Sequence, residues 1–125
     1  MWPAFWMLPS EGSTPQCSGC GKYGGWAASG EIDIMEAPNE ASKVLGTLHY
    51  GGQWPANVWT SGSMPLPSCA AEAAPCFHTY SIEWNQTAVT WFLDGQPYYA
   101  VRSSSVAPGG CSHTPWEVDR ARPLT

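Results

Sequence analysis

Proline and glycine fill a fifth of the chain, 12 and 13 of its 125 positions, and they interrupt it too often for long helices to form. Such punctuation favours short strands joined by turns. Period-two alternation of apolar residues marks six strands and no helix: Trp2 to Leu8, Gly30 to Ala37, Val44 to Tyr50, Phe77 to Trp84, Ala88 to Leu93 and Gln96 to Val101. The expected fold class is all-β. The clearest run is His78 to Val101, where His78, Tyr80, Ile82 and Trp84 share one face, Asn85-Gln86-Thr87 turns the chain, and Val89, Trp91 and Leu93 alternate before Asp94-Gly95 turns it again. These three strands predict a meander. Thr60 to Pro75, rich in Ser, Pro and Ala, reads as a long surface loop.

With 43% hydrophobic residues and eight tryptophans, the chain has enough apolar surface to bury a core, and its length sets a ceiling of one domain. The net charge is −5 and no stretch gathers Lys and Arg into a stripe, so nucleic acid is not an expected partner. No window approaches the roughly 18 apolar residues of a membrane-spanning helix, and no membrane partner is expected. The apolar opening, Trp2 to Leu8, contains Pro3 and lacks a basic flank, so it reads as a strand rather than a secretory signal.

Five cysteines, Cys17, Cys20, Cys69, Cys76 and Cys111, are many for a short cytosolic chain and point to disulfides in an oxidising, extracellular setting. Cys69 and Cys76 are close enough in sequence to close a small loop. Cys17-Ser-Gly-Cys20 has neither a second Cys-x-x-Cys nor a βαβ pattern around it, which disfavours zinc or redox chemistry. Asn85-Gln86-Thr87 is a glycosylation acceptor triplet in a predicted turn, in keeping with secretion.

The informative stretch is Glu31-Ile32-Asp33-Ile34-Met35-Glu36, which holds three of the ten acids within six otherwise apolar positions. In a regular strand Glu31 and Asp33 point to one face and Ile32 and Ile34 to the other, which sends Glu36 to the core side at prohibitive cost. A β-bulge at Ile34 or Met35 restores the register and lines all three carboxylates on one face. Three functions compete for such a row. A solvated acidic strand is disfavoured because like charges on neighbouring positions weaken it and nothing basic lies nearby. Calcium wants oxygen ligands from a loop, and a strand offers them poorly. Glycoside hydrolysis needs two carboxyl groups with pKa values driven apart, which a crowded acidic row beside aromatic rings supplies.

The pattern from Gly24-Gly25-Trp26 through Ser29-Gly30-Glu31-Ile32-Asp33-Ile34-Met35-Glu36 closely resembles the catalytic strand of glycoside hydrolase family sixteen. It is most similar to the bulged, laminarinase-like branch, whose members typically cleave β-1,3-glucans; the lichenase-like branch lacks the inserted residue. Trp2-Pro3-Ala4-Phe5-Trp6-Met7-Leu8-Pro9, Gly46-Thr47-Leu48-His49-Tyr50-Gly51-Gly52, and the block from Phe77-His78-Thr79-Tyr80 to Leu93-Asp94-Gly95 extend the likeness over most of residues 2 to 101.

The resemblance implies part of a concanavalin-like β-sandwich, a jelly roll with a curved sheet and a carbohydrate cleft. It implies Glu31 as nucleophile, Glu36 as general acid/base, and Asp33 between them, holding Glu31 by a hydrogen bond and keeping the proton on Glu36. Retention of configuration calls for carboxyl groups about 5 Å apart. Trp6, Trp26 and Trp54 are candidate platforms for sugar rings, with core packing as the alternative for each. Of these, Trp26 is the strongest, because it lies in a Gly-rich turn five residues before Glu31. His49 and His78 match positions near the cleft, and His49 is the better placed to bond a carboxylate or substrate. Residues 1–110 would form a partial catalytic domain and 111–125 a divergent tail. The substrate would be β-glucan, with internal bonds hydrolysed by a monomeric enzyme needing neither cofactor nor metal. The alternative is an inactive, truncated glucan-binding protein.

Overall fold

Alternation in the sequence becomes strands in a computed structural model that describes residues 1–10, 20–39, 42–67 and 77–103. The strands are β1 (Ala4–Met7), β2 (Glu31–Glu36), β3 (Lys43–Tyr50), β4 (Val58–Pro65), β5 (Tyr80–Trp84), β6 (Ala88–Leu93) and β7 (Gln96–Arg102). They form two antiparallel sheets, ordered β1-β2-β3-β4 and β5-β6-β7. The second sheet is the predicted meander. Its β6 alternates cleanly, with Val89, Trp91 and Leu93 buried, and its turn at Asp94-Gly95 puts both residues at positive φ. In the β5–β6 turn, Asn85 Oδ1 accepts hydrogen bonds from Thr87 N at 2.8 Å and Ala88 N at 3.1 Å, which is why Asn closes it.

The two sheets pack face to face as a β-sandwich, the all-β architecture the sequence predicts. Leu48 of β3 meets Val89 and Trp91 of β6 and Val101 of β7, with Ile32, Tyr50, Ile82, Tyr98 and Tyr99 around them. Each fully buried side chain of this kind is worth roughly 1.5–3 kcal/mol, so this cluster holds the layers together. Gly46 has a packing reason to be glycine: a Cβ there would stand 2.3 Å from Trp91 Cδ1.

One segment departs from the expectation. The first part of the predicted loop Thr60 to Pro75 belongs to β4, paired with β3 along its whole length from Tyr50↔Val58 to Lys43↔Pro65. The period-two pattern is present but carried by inward positions that are not aliphatic. Thr60 points into the sandwich, where its Oγ1 lies 2.6 Å from Tyr99 Oη, and Gly62 leaves room for the Tyr99 ring, 2.3 Å from where a Cβ would sit. Smaller differences fall at strand ends, since β1 starts at Ala4, β5 starts at Tyr80, and Phe77 is exposed. Cys20 is disulfide-bonded. Cys17, Cys69, Cys76, Cys111 and the expected tail 111–125 lie outside the described residues.

Candidate active site

Strand β2 carries the bulge its acids require. Against β3, Asp33 pairs with Thr47 and Glu36 with Leu45, so three steps on one strand oppose two on the other. Against β1, Phe5 pairs with Met35 and Trp6 with Asp33, which leaves Ile34 without an opposite residue. Ile34 is buried, and the carboxylates emerge on the other face. Three contacts establish that shared face. Thr47 and His49 are two apart on β3 and so point the same way; His49 Nε2 lies 3.2 Å from Asp33 Oδ2, and Thr47 Oγ1 donates to Glu36 Oε2 at 3.3 Å. Glu31 sits opposite His49.

Each acid is held separately. The indole Nε1 of Trp26 donates to Glu31 Oε2, and its ring lies 5.4 Å from that of His49. Trp2 Nε1 donates to Glu36 Oε1 at 3.1 Å, so with Thr47 both Glu36 oxygens have a donor. Asp33 is 3% exposed and braced by His49. Beneath the strand, Trp91 of the opposite sheet donates its Nε1–H to the Asp33 carbonyl at 2.8 Å. A buried core tryptophan thereby fixes the height of the bulged strand, linking packing to the placement of the acids.

Burial pushes the Glu31 carboxyl above its ordinary value; the Trp26 N–H opposes this, whereas the Asp33 charge and a hydrogen bond with Asp33 raise it further and His49 pulls it back. His49 is likewise raised, chiefly by its hydrogen bond to Asp33, against the opposing effect of burial. Asp33 thus adds to the raised values of both neighbours, leading for His49 and secondary to burial for Glu31. Glu31, Asp33 and His49 each offer a donor atom, all within 4.8 Å of one another, the spacing of a cation site; here those donors engage each other and Trp26.

The other predicted residues divide. Trp6 lies on β1 opposite Asp33 and is 49% exposed, hence on the acids' face and outside the core. Trp54 is 69% exposed on the β3–β4 connection, where its backbone N–H donates to the Trp26 carbonyl at 2.7 Å. His78 is not brought to the carboxylates: its Nδ1 pairs with Asp94 Oδ2 at 2.8 Å beside the β6–β7 turn. Trp2, Thr47 and Trp91 were not anticipated as site residues. Thr47 was findable by alternation from His49, and Trp2 by its place in the Trp-Pro-Ala-Phe-Trp block. Nothing local in sequence announces a bond from Trp91 to a strand 58 residues away.

The family profile "Glycosyl hydrolases family 16" matches residues 1–120. The chain belongs to this family. The chain is 40% identical over 113 residues to a glucan endo-1,3-beta-glucosidase A1 of Niallia circulans, covering 86% of the chain and 15% of that protein. It is 33% identical over 101 residues to a beta-1,3-glucan-binding protein of Penaeus monodon, covering 75% of the chain and 25% of that protein. Among solved structures, the laminarinase catalytic domain of Thermotoga maritima aligns with a TM-score of 0.59 and 35% identity, over 85% of this chain and 39% of that one. The chain thus spans well under half the length of each of these relatives.

Proposed function

We propose that this chain carries the catalytic strand of a retaining endo-β-1,3-glucanase that acts outside the cell on laminarin-type glucans. The observation that carries the proposal is the bulge, which delivers Glu31, Asp33 and Glu36 to one open face with separate partners for each acid. Glu31 attacks the anomeric carbon, forming a C–O bond to the enzyme as the glycosidic C–O bond breaks, and Glu36 gives its proton to the departing oxygen. Water then attacks the same carbon, Glu36 takes the water's proton, and Glu31 leaves as a carboxylate. The Trp26 N–H favours the ionised form of Glu31 that this requires, while Trp2 and Thr47 hold Glu36 where the leaving oxygen passes. Residues for a cofactor are not needed by this chemistry. A monomer suffices, because every proposed catalytic group comes from one chain.

The test is laminarin hydrolysis by the purified chain and by Glu31→Gln. Reducing sugar released by the first and lowered about 10³-fold or more in the second supports the proposal; equal release by both, or none by either when folded, contradicts it. The likeness to a glucan-binding protein favours a second reading, binding without turnover. Retention of all three acids weighs for hydrolysis, and binding to curdlan with no hydrolysis would select the second reading.

A further inference from the structure

Trp59 has no use inside the sandwich. It lies on β4 opposite His49, which lies on β3 opposite Glu31, so the three residues form one row across the sheet. Directly paired residues of antiparallel strands project to the same side, which places Trp59 on the carboxylate face. The neighbouring rows agree: Asp33, Thr47 and Ser61 form the next row on that face, whereas Leu48 and Thr60 between them point inward, Leu48 fully buried and Thr60 bonded to Tyr99. Trp59 is 64% exposed, and among the described residues its indole makes no hydrogen bond or ring contact. Ser61 and Ser63, small and exposed, continue the same face of β4 and leave the ring accessible.

We propose that Trp59 is a sugar-stacking platform that extends the glucan site across the sheet, beyond the sugar under attack. Two inter-strand spacings separate it from Glu31, about 10 Å, so the ring it carries belongs to a more distant sugar. Trp6, on β1 beyond the acids, gives the site an aromatic on the opposite side. A glucan laid across the strands therefore meets Trp6, then the carboxylates, then Trp59. An exposed indole offers a flat apolar face to the C–H side of a pyranose, and its rigidity makes such a contact cheap in entropy. The proposal rests on the glucan reading of the carboxylate face and adds to it a residue that selects for chain length.

The experiment measures binding of β-1,3-linked glucose oligomers, disaccharide to hexasaccharide, by calorimetry to the full chain carrying Glu31→Gln, which prevents hydrolysis. The comparison is the same chain with Trp59→Ala, and with Trp59→Phe to retain a flat ring. The expected result is that Trp59→Ala weakens the hexasaccharide about tenfold, leaves the disaccharide unchanged, and is largely restored by Trp59→Phe. Equal affinities with and without Trp59 at every length overturn the platform while leaving the glucan reading intact. A uniform loss at every length, or a changed circular dichroism spectrum, overturns it in favour of a structural role. Absence of binding by any oligomer, with Trp59 present, overturns both.

Discussion

Asp33 is the one group that raises both of its titrating neighbours, Glu31 and His49. It raises Glu31 through its charge and through a hydrogen bond, and it is the leading cause of the raised His49. Replacing it by Asn removes the charge and keeps the shape. Asp33→Asn is therefore expected to lower both Glu31 and His49, each toward its ordinary value, as followed by NMR titration of the two side chains. A Glu31 that stays put would mean that Asp33 does not contribute to its raised value, leaving burial to outweigh Trp26 and His49. The sequence made Asp33 legible as the middle of three same-face acids, because strand spacing alone puts Glu31 and Asp33 together. What spacing could not supply were the partners from other strands. Trp2 reaches Glu36 across 34 residues and Thr47 across 11, and those contacts exist only once β1 and β3 flank β2.

The bulged strand β2 was the most legible element, for a reason rooted in cost. A flat register buries a carboxylate at a cost that nothing nearby offsets, so the sequence itself implies the extra residue. Strand β4 was the least legible, because its inward positions include Thr60 and Gly62, which fit Tyr99 rather than look apolar. Strand β6, in the middle of the facing sheet, supplies the device that ties core to site. Trp91→Phe is expected to keep most of the packing while leaving the Asp33 carbonyl without its partner, at a cost of about 1–3 kcal/mol for the carbonyl alone. The readout is a lowered denaturant midpoint with an unchanged m-value. Hydrolysis should fall by more than the unfolded fraction accounts for, since the strand that Trp91 fixes is the one bearing the acids. A variant as stable as the parent would show that the indole N–H does not matter to β2.

At the scale of the whole molecule, the site leaves a signature in stability. His49 holds its proton more tightly in the fold than in the unfolded chain, where 6.5 is its ordinary value. Its contribution is thus complete below that value and is lost as pH rises through the higher folded pKa. Glu31 acts with the same sign from its ordinary 4.5 upward. Asp94, lowered chiefly by the Thr79 backbone N–H and then by His78, acts oppositely, and its contribution is lost only as pH falls below 3.8. The chain should therefore lose thermal stability as pH rises past the ordinary His49 value of 6.5, and His49→Gln should flatten that loss. Parallel melting profiles for the two proteins would remove His49 from the explanation.

The bulge brings two glutamates five residues apart out on the same side of a sheet, which is where the proposed chemistry needs them. The most direct test is a covalent trap: incubate the chain with a 2-deoxy-2-fluoro β-1,3-glucosyl oligosaccharide bearing an activated leaving group, digest it, and locate the adduct by mass spectrometry. One sugar adduct is expected, on Glu31, and it should also form in Glu36→Gln because the activated leaving group needs no proton. An adduct on Glu36 or Asp33, or a folded chain that never acquires one, would contradict it.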